Sequence, residues 1–396
     1  MLKKAESPTL GNSDERSKSW LCDCWSEFWN GATRPTLLSW VITLSVTPFA
    51  FGGLCLYVTP DFVAGPLHRY LMKDPYDSEL IVTAKALRLR RSKPPDLVIL
   101  GDSVTVRCVS SEERLGGMVA AKLKRPAPIV YDMSADGTIS WEWATFAEYL
   151  PAEFRGVVVF GVAPPVLSNE TRALLETIGE FPHVGLTSEV LDSESRSWGM
   201  NVPYRTGIYF IDNWRFILPR LSSAILNLLF RGPQPYGDPL DVSWMTESKR
   251  LEALGQERKK SYLSKASTLY ESNKQANLGI IGQIVAKLRG QGNGASFILL
   301  QGPINPLWYD EPKGREFFKR YTNDLRQFAT EQRMSFLSVN KATEFLPDDF
   351  RDYAGHLRSR EARERCTQAI ASQVAKVITE KEMVAKLTEP AATLQR

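Results

Sequence analysis

The fold of this chain is best inferred from one segment, Asp96-Leu-Val-Ile-Leu-Gly-Asp-Ser-Val-Thr105. Its apolar run, residues 97–100, is typical of a strand that is buried on both faces of a parallel sheet. The run ends at Gly101, and a helix is predicted to begin shortly after it. Ser103 therefore stands between a buried strand and a helix, which together form the first half of a βαβ unit.

The alternation of short apolar runs with longer amphipathic stretches continues along the chain. Four more strands are predicted at residues 129–131, 157–160, 297–300 and 335–339. Helices are predicted at residues 104–124, 139–150, 275–290, 314–332 and 359–380. Strands that alternate with helices favour right-handed crossovers and a parallel sheet. We therefore predict an α/β, flavodoxin-like domain at 96–380, with about five parallel strands and helices on both faces, followed by a tail at 381–396.

Residues 166–274 interrupt this alternation between the third and fourth strands. They contain an aromatic-rich part at 204–230 and a polar, helix-like part at 246–273. We expect a helical insertion that covers one side of the sheet. Its apolar segments either contact a bilayer or a membrane partner, or pack onto the domain.

The segment from Leu37 to Val58 contains no charged residue over 22 positions. At about 1.5 Å per residue, a helix of this length crosses a hydrocarbon core of about 30 Å. A cleaved secretory signal has a shorter apolar region nearer the first residue, and a buried soluble helix tolerates Pro48 poorly. We predict a transmembrane helix at 37–58, preceded by a cytoplasmic tail at 1–36 and followed by a juxtamembrane connector at 59–95.

The orientation of the span is predicted from lysine and arginine alone. Five such residues lie in the tail at 1–36, whereas Arg69 and Lys73 lie close to the other end of the span. We therefore expect a single-pass protein of the cell inner membrane, with its globular domain on the periplasmic or extracellular side.

The composition limits the classes of partner. The chain has 396 residues, and lysine plus arginine exceed aspartate plus glutamate by only four, with no long basic run. Nucleic-acid binding requires a basic patch, so we exclude it. The pair Cys22-x-Cys24 lacks the spacing and partners of a zinc site. We expect neither a metal nor a cofactor.

Ser103 is placed for nucleophilic chemistry. Ligands of open parallel sheets bind at the carboxyl ends of the strands, and a helix N-terminus there presents free N–H groups. A serine nucleophile also needs a general base, and the chain has only three histidines. His68 lies beside the predicted span and His183 in the insertion, whereas His356 follows the last strand. His356 is therefore the candidate base.

A carboxylate is needed to orient the imidazole of His356. Asp352 lies four residues earlier in the same predicted loop, and Asp348 and Asp349 are the alternatives. The order of a Gly-Asp-Ser turn followed by a late Asp-x-x-x-His loop resembles the SGNH or GDSL hydrolase superfamily. The segments that carry the resemblance are 94–107, 131–138, 300–306 and 352–356.

Within that superfamily the chain looks most like a membrane-tethered group that modifies cell-envelope polymers. This group includes alginate O-acetylation proteins and the D-alanyl-transfer protein of teichoic-acid alanylation. The resemblance implies that Ser103 is the nucleophile, that His356 is its general base and that Asp352 orients His356. It also matches Gly137 to a glycine whose amide joins that of Ser103 in binding an oxyanion, although a plain turn glycine is the alternative.

The sequence departs from the superfamily pattern in two places. The third block usually reads Gly-x-Asn-Asp, whereas here it reads Gly161-Val-Ala163-Pro-Pro, so the side-chain oxyanion donor is missing and Asn169 is out of register. The usual spacing between the aspartate and the histidine is three residues, whereas Asp352 and His356 are four apart.

Two further residues are candidates for substrate binding. Arg107 lies one helical turn after Ser103, where it binds an anionic sugar or phosphate or is a solvated surface residue. Asn305 follows the fourth strand and either contacts the substrate or is a turn residue between two prolines. Cys108 and Cys366 fall near the starts of the first and last helices, as a disulfide or as two buried free thiols.

Together these features predict a membrane-anchored serine O-acyltransferase or acylesterase that acts on a cell-envelope polysaccharide or glycan. The resemblance implies a membrane-bound O-acyltransferase as a partner. A non-catalytic partner of such an acyltransferase is one alternative. A lipase or thioesterase, with an apolar acyl groove built by residues 204–230, is another.

Overall fold

The structure is a computed structural model that describes residues 37–90, 93–170, 185–202, 204–237, 247–291 and 294–388. The predicted tail at 1–36, His183 and residues 389–396 lie outside the described residues. The chain divides into two units, one up to Tyr57 and one from Val58 onwards.

The first unit contains helix α1, Leu37–Tyr57, a 21-residue helix with Pro48 inside it. Over the part of the chain that is described, no helix is both long and apolar enough to cross a membrane. The transmembrane span at 37–58 stays a prediction from the sequence.

The second unit is built on a sheet of five parallel strands. They are β1 Leu97–Gly101, β2 Val130–Asp132, β3 Val157–Val162, β4 Ser296–Gln301 and β5 Ser335–Ser338. Their order, β2-β1-β3-β4-β5, is that of flavodoxin-like sheets. The predicted α/β class with a five-stranded parallel sheet is confirmed. All five predicted strands form within two residues of the expected positions.

Helices flank the sheet, and three helices of the second unit lie before the first strand. Before β1 lie α2 Pro60–Ala64, α3 His68–Leu71 and α4 Ser78–Leu89. Between β1 and β3 lie α5 Ser103–Val106, α6 Glu112–Leu123 and α7 Ser140–Glu148. Between β3 and β4 lie α8 Pro164–Ser168, α9 Glu189–Ser197, α10 Tyr209–Asp212, α11 Trp214–Leu226, α12 Glu247–Ala253 and α13 Gln256–Gly290. After β4 lie α14 Pro312–Glu331, α15 Val339–Ala342 and α16 Arg360–Thr388.

The two faces of the sheet pack against different helices, because alternate strand residues point to opposite sides. On one face, Leu97, Ile99 and their neighbours pack with α6 and α16 in a single buried cluster. On the other face, Phe160 contacts Trp143 of α7, and the Tyr321 hydroxyl of α14 donates to the Val162 carbonyl. The strands are buried on both faces, which explains their uninterrupted apolar runs.

Three segments differ from the predicted domain organisation. Helix α13 begins at Gln256, so the predicted end of the insertion at 274 falls inside this helix. Helix α16 continues to Thr388, eight residues beyond the predicted end of the domain, because no proline or glycine occurs in it. The predicted connector at 59–95 contributes three helices to the second unit, and most of the apolar side chains of α4 are buried. Its Asp77 pairs with the buried Arg220 of α11 at 2.8 Å.

In its described part, the segment between β3 and β4 consists of helices joined by loops. Its apolar residues divide into two groups. Phe216 and Ile217 are buried against the domain, whereas Leu228, Leu229 and Phe230 are 64–78% exposed in a short π-helix that follows α11.

Two glycines at the carboxyl edge of the sheet make room for the start of α5. Gly101 of β1 and Gly161 of β3 are paired in register. A Cβ on Gly101 would lie 2.3 Å from the Thr105 side chain, and one on Gly161 would lie 2.2 Å from it. The Thr105 side chain therefore fits into the gap above both strands and brings the first turn of α5 close to the sheet.

Candidate active site

Ser103 is the first residue of α5, at the carboxyl end of β1. Asp102 caps this helix: one oxygen of its buried carboxylate accepts from the Val104 and Thr105 amides at 3.1 and 3.2 Å. Burial raises the pKa of Asp102 and outweighs the lowering effects of His356 and these hydrogen bonds. The cap uses the second and third amides of the helix and leaves that of Ser103 without an acceptor among the described residues.

The structure brings Ser103, His356 and Asp352 into one hydrogen-bonded chain. The Ser103 Oγ lies 2.8 Å from the His356 Nε2, and the His356 Nδ1 lies 2.7 Å from the Asp352 Oδ2. A carboxylate only accepts hydrogen bonds, so the Nδ1 carries the proton and the Nε2 is free to accept from the serine. This arrangement enables the imidazole to take the serine proton.

The loop that carries Asp352 and His356 is held closed by its own backbone. An antiparallel bridge joins Phe350 and Leu357 at its two ends. The second oxygen of Asp352 accepts from the Ala354 amide at 3.0 Å. Gly355 has a φ of 103°, a conformation that residues with a side chain rarely adopt. This glycine accommodates the four-residue spacing and still lets His356 face its aspartate.

The other two candidate carboxylates are engaged elsewhere. Asp348 pairs with Arg250 at 2.8 Å, and Asp349 pairs with Arg365 at 2.7 Å and accepts from the Ser359 hydroxyl. Asp352 is therefore the carboxylate that contacts the imidazole.

Arg351 contacts two members of this chain and was not predicted from the sequence. Its Nε lies 3.3 Å from the Asp352 carboxylate, and its guanidinium lies 3.4 Å from the His356 Nδ1. Burial alone raises the pKa of Asp352, but the hydrogen bond and charge of His356 and the charge of Arg351 outweigh it, so the pKa is lowered. The available signal was the position of Arg351 directly before Asp352 in a short loop.

Gly137 lies in an exposed turn after β2, with a φ of 77° and open space around its α-carbon. Two contacts tie this turn to the nucleophile. Arg107 donates to the Ser103 carbonyl at 2.8 Å and pairs with Asp136 at 2.8 and 3.2 Å. The Thr138 hydroxyl donates to the Gly101 carbonyl at 2.6 Å. Neither Thr138 nor its role was anticipated, since a threonine in a turn carries no specific signal.

Arg107 and Asn305 do not face an open site, in contrast to the substrate-binding roles considered above. Arg107 is 8% exposed and bridges Ser103 and Asp136, a contact that lowers the pKa of Asp136 against the opposing effect of its burial. Asn305 is fully buried and donates to the Asp352 carbonyl at 3.2 Å. Both side chains hold the backbone of the site.

The segment at 161–165, which stands at the third block of the predicted pattern, contains no polar side chain. Ala163 is buried and directly precedes α8. Asn169 follows α8, where its carbonyl accepts from Asn277. The amide of Ser103, which has no acceptor among the described residues, is free to bind an oxyanion, and the role of Gly137 stays a prediction from the sequence.

Cys108 and Cys366 are both free and fully buried, so the disulfide is not formed. Burial and the neighbouring Cys366 thiol raise the pKa of Cys108 well above its usual value. The pair belongs to the core between α5 and α16.

No protein-family model matches this sequence, and no curated protein matches it significantly.

Proposed function

We propose that this protein is a serine acyltransferase or acylesterase in which Ser103 is the nucleophile. The observation that supports the proposal is the unbroken chain from the Ser103 hydroxyl through His356 to Asp352, with bonds of 2.8 and 2.7 Å. Its members come from positions 253 residues apart and meet at the carboxyl edge of the sheet, where such folds bind ligands.

In the proposed reaction, the Ser103 oxygen attacks the carbonyl carbon of an acyl ester and its proton passes to the His356 Nε2. Asp352 stabilises the imidazolium, while the amides of Ser103 and Gly137 bind the oxyanion. Collapse expels the donor alcohol, which takes the proton from His356 and leaves an acyl group on Ser103. A water or a sugar hydroxyl then attacks the acyl carbon and gives its proton to His356. Collapse breaks the bond to the Ser103 oxygen, and His356 returns the proton to that oxygen.

The acceptor decides between the two activities: water gives an esterase, and a glycan hydroxyl gives a transferase. We propose a cell-envelope polysaccharide or glycan as the substrate and a membrane-bound O-acyltransferase as the partner. Both follow from the SGNH-like motifs at Ser103, Gly137 and His356. The location, a single-pass inner-membrane protein with an external domain, rests on the uncharged segment at 37–58.

Turnover of 4-nitrophenyl acetate tests the proposal. Replacement of Ser103 by alanine removes the nucleophile, so we expect kcat/KM to fall by about a thousandfold or more. Ser222→Ala, at an exposed serine of α11, should leave kcat/KM unchanged. Equal turnover by Ser103→Ala and the unaltered chain would exclude Ser103 as the nucleophile.

A second candidate function is that of a non-catalytic partner of an acyltransferase, which the apolar Ala163 at the third block favours. In that case the unaltered chain turns over no activated ester, yet its deletion in cells reduces acylation of the polymer and Ser103→Ala restores it fully. The acyl-transfer proposal predicts the reverse: Ser103→Ala fails to restore acylation.

A further inference from the structure

A cavity opens at the carboxyl edge of the sheet, beyond the ends of β4 and β5. Its volume is about 380 Å³, within the range of small-molecule sites. Gln301 and Ser338, the last residues of the two strands, line it, as do the rings of Tyr309 and Phe345. One lysine and one glutamate, Lys341 and Glu344, lie at its wall, so it carries no excess of either charge.

Gln301, one of the residues that line the cavity, carries a buried acceptor without a donor in the described part of the chain. Its side chain is 1% exposed, and its Nε2 donates to the Thr322 hydroxyl at 2.6 Å. The single proton of Thr322 is itself donated to the Phe318 carbonyl at 2.8 Å, so the Thr322 oxygen only accepts from Gln301. These two bonds fix the orientation of the amide. The Gln301 Oε1 has no donor among the described residues, and an unpaired buried acceptor is unfavourable.

The cavity lies next to the triad loop, by which we mean residues 350–357 with Asp352 and His356. The segment that follows β4 lines the cavity through Ile304, whose amide and carbonyl both bond to the side chain of Asn340 at 2.8 and 2.7 Å. The next residue, Asn305, donates to the Asp352 carbonyl. Only the backbone at Ile304 and Asn305 therefore lies between a ligand in the cavity and the triad loop.

We propose that this cavity binds an uncharged, hydroxyl-bearing ring, as the subsite for a sugar unit of the glycan acceptor. Such a ring carries hydroxyl donors, which the buried Gln301 Oε1 lacks among the described residues, and an apolar face for Tyr309. The balance of charge at the wall favours a neutral ring over an anionic one. The inference rests on the proposed function for the identity of the glycan as acceptor.

Ligand-observed saturation-transfer NMR on the full chain carrying Ser103→Ala tests the subsite. Probes are the methyl glycosides of glucose, mannose and N-acetylglucosamine, with methyl galacturonide as the anionic counterpart. We expect at least one neutral glycoside to bind and Gln301→Met, which keeps the side-chain volume, to weaken it about tenfold or more. Tyr309→Ala, at a partly exposed ring that is less needed for folding, should also weaken binding.

Gln368→Leu is the matched control, because this glutamine lies on a different surface cavity beside α16. The proposal is overturned if no neutral glycoside binds, if only the galacturonide binds, or if Gln301→Met and Gln368→Leu bind equally well. The measurement needs no turnover, so its failure is distinguishable from failure of the acyl-transfer proposal, which the activated ester tests separately.

Discussion

Arg351 places a positive charge against the carboxylate that accepts a hydrogen bond from the His356 imidazole. The Asp352 oxygen that it contacts is the one that also accepts from His356. Both Arg351 and Asp352 are largely buried, with side chains 15% and 21% exposed, so the solvent screens their interaction only in part. The arginine therefore helps to keep Asp352 ionised and able to hold the imidazole.

Replacement of Arg351 by glutamine should move the acid limb of the activity profile to higher pH. The pKa of Asp352 is lowered in the folded protein, partly by Arg351, so loss of this cation raises it. Activity requires that the hydrogen-bonded pair of Asp352 and His356 can take the Ser103 proton. Removal of the neighbouring cation lets this pair bind a proton at a higher pH, so the variant loses activity at a higher pH. Measurement of kcat/KM for 4-nitrophenyl acetate against pH checks this.

Arg351→Lys should restore part of the shift, because the charge is kept. Arg358→Gln, in which the lost arginine pairs with Glu247 on the outside of the loop, should leave the limb in place. An acid limb that is unmoved in Arg351→Gln, or that moves to lower pH, contradicts the assigned role.

The sequence predicts the members of the triad better than their neighbours. Ser103 and His356 each follow a strand of a parallel sheet, and such strands end at one edge, so their proximity follows from topology alone. The roles of Arg107 and Asn305 depend on which way a side chain turns at that edge. In both residues the side chain turns towards backbone carbonyls, a choice set by tertiary packing that no local pattern records.

At the level of elements, the triad loop depends on a close approach of two backbones. A Cβ on Gly355 would lie 2.3 Å from the Pro303 carbonyl oxygen and 3.6 Å from Val104. The loop therefore lies against the segment after β4 and the start of α5, and only a residue without a side chain fits there. This contact helps to fix the position of the His356 imidazole relative to the Ser103 hydroxyl.

Replacement of Gly355 by alanine should separate the imidazole from the serine. We expect the free energy of unfolding to fall by about 1–3 kcal/mol from backbone strain and ester turnover to fall by more than about tenfold. Chemical denaturation and steady-state kinetics measure the two effects. Gly117→Ala, at an open position inside α6, should instead stabilise the protein by about 0.5–1 kcal/mol. Full activity in Gly355→Ala would show that the close approach is dispensable.

Helix α14 and strands β1 and β3 lie within two residues of their predicted bounds, whereas the longest described helix, α13, was divided between the predicted insertion and a helix at 275–290. Helices α14 and α16 repeat their apolar pattern over several turns, and strands β1 and β3 are apolar throughout, so their sequences identify them. Helices α2 and α3 have five and four residues, too few for a periodic pattern. Their membership of the second unit depends on contacts with distant residues.

At the scale of the whole molecule, a buried ion pair links the segment before the sheet to the helices between β3 and β4. Arg220 is 1% exposed and donates to both Asp77 and Glu79 at 2.8 Å. Asp77 also caps α4 through the Leu80 amide. The pair explains why the predicted connector is part of the domain.

Replacement of Arg220 by methionine should destabilise the second unit by about 3–5 kcal/mol, because it leaves the Asp77 charge buried without its partner. Urea denaturation followed by tryptophan fluorescence measures this. Arg231→Met, at an exposed arginine of the same helical segment, should change the free energy of unfolding by no more than about 0.5 kcal/mol. Equal stability of the two variants would show that the ion pair does not anchor the connector.

The distance along the chain between Ser103 and His356 has a consequence for biosynthesis. During translation the serine is made 253 residues before the histidine. The loop at 350–357 must then pack against α5 before the two side chains meet. Until that moment the nascent chain carries an ordinary, unreactive alcohol. If Ser103 is the nucleophile, as we propose, a half-made or misfolded copy is chemically silent, and reactivity begins only when most of the polypeptide exists.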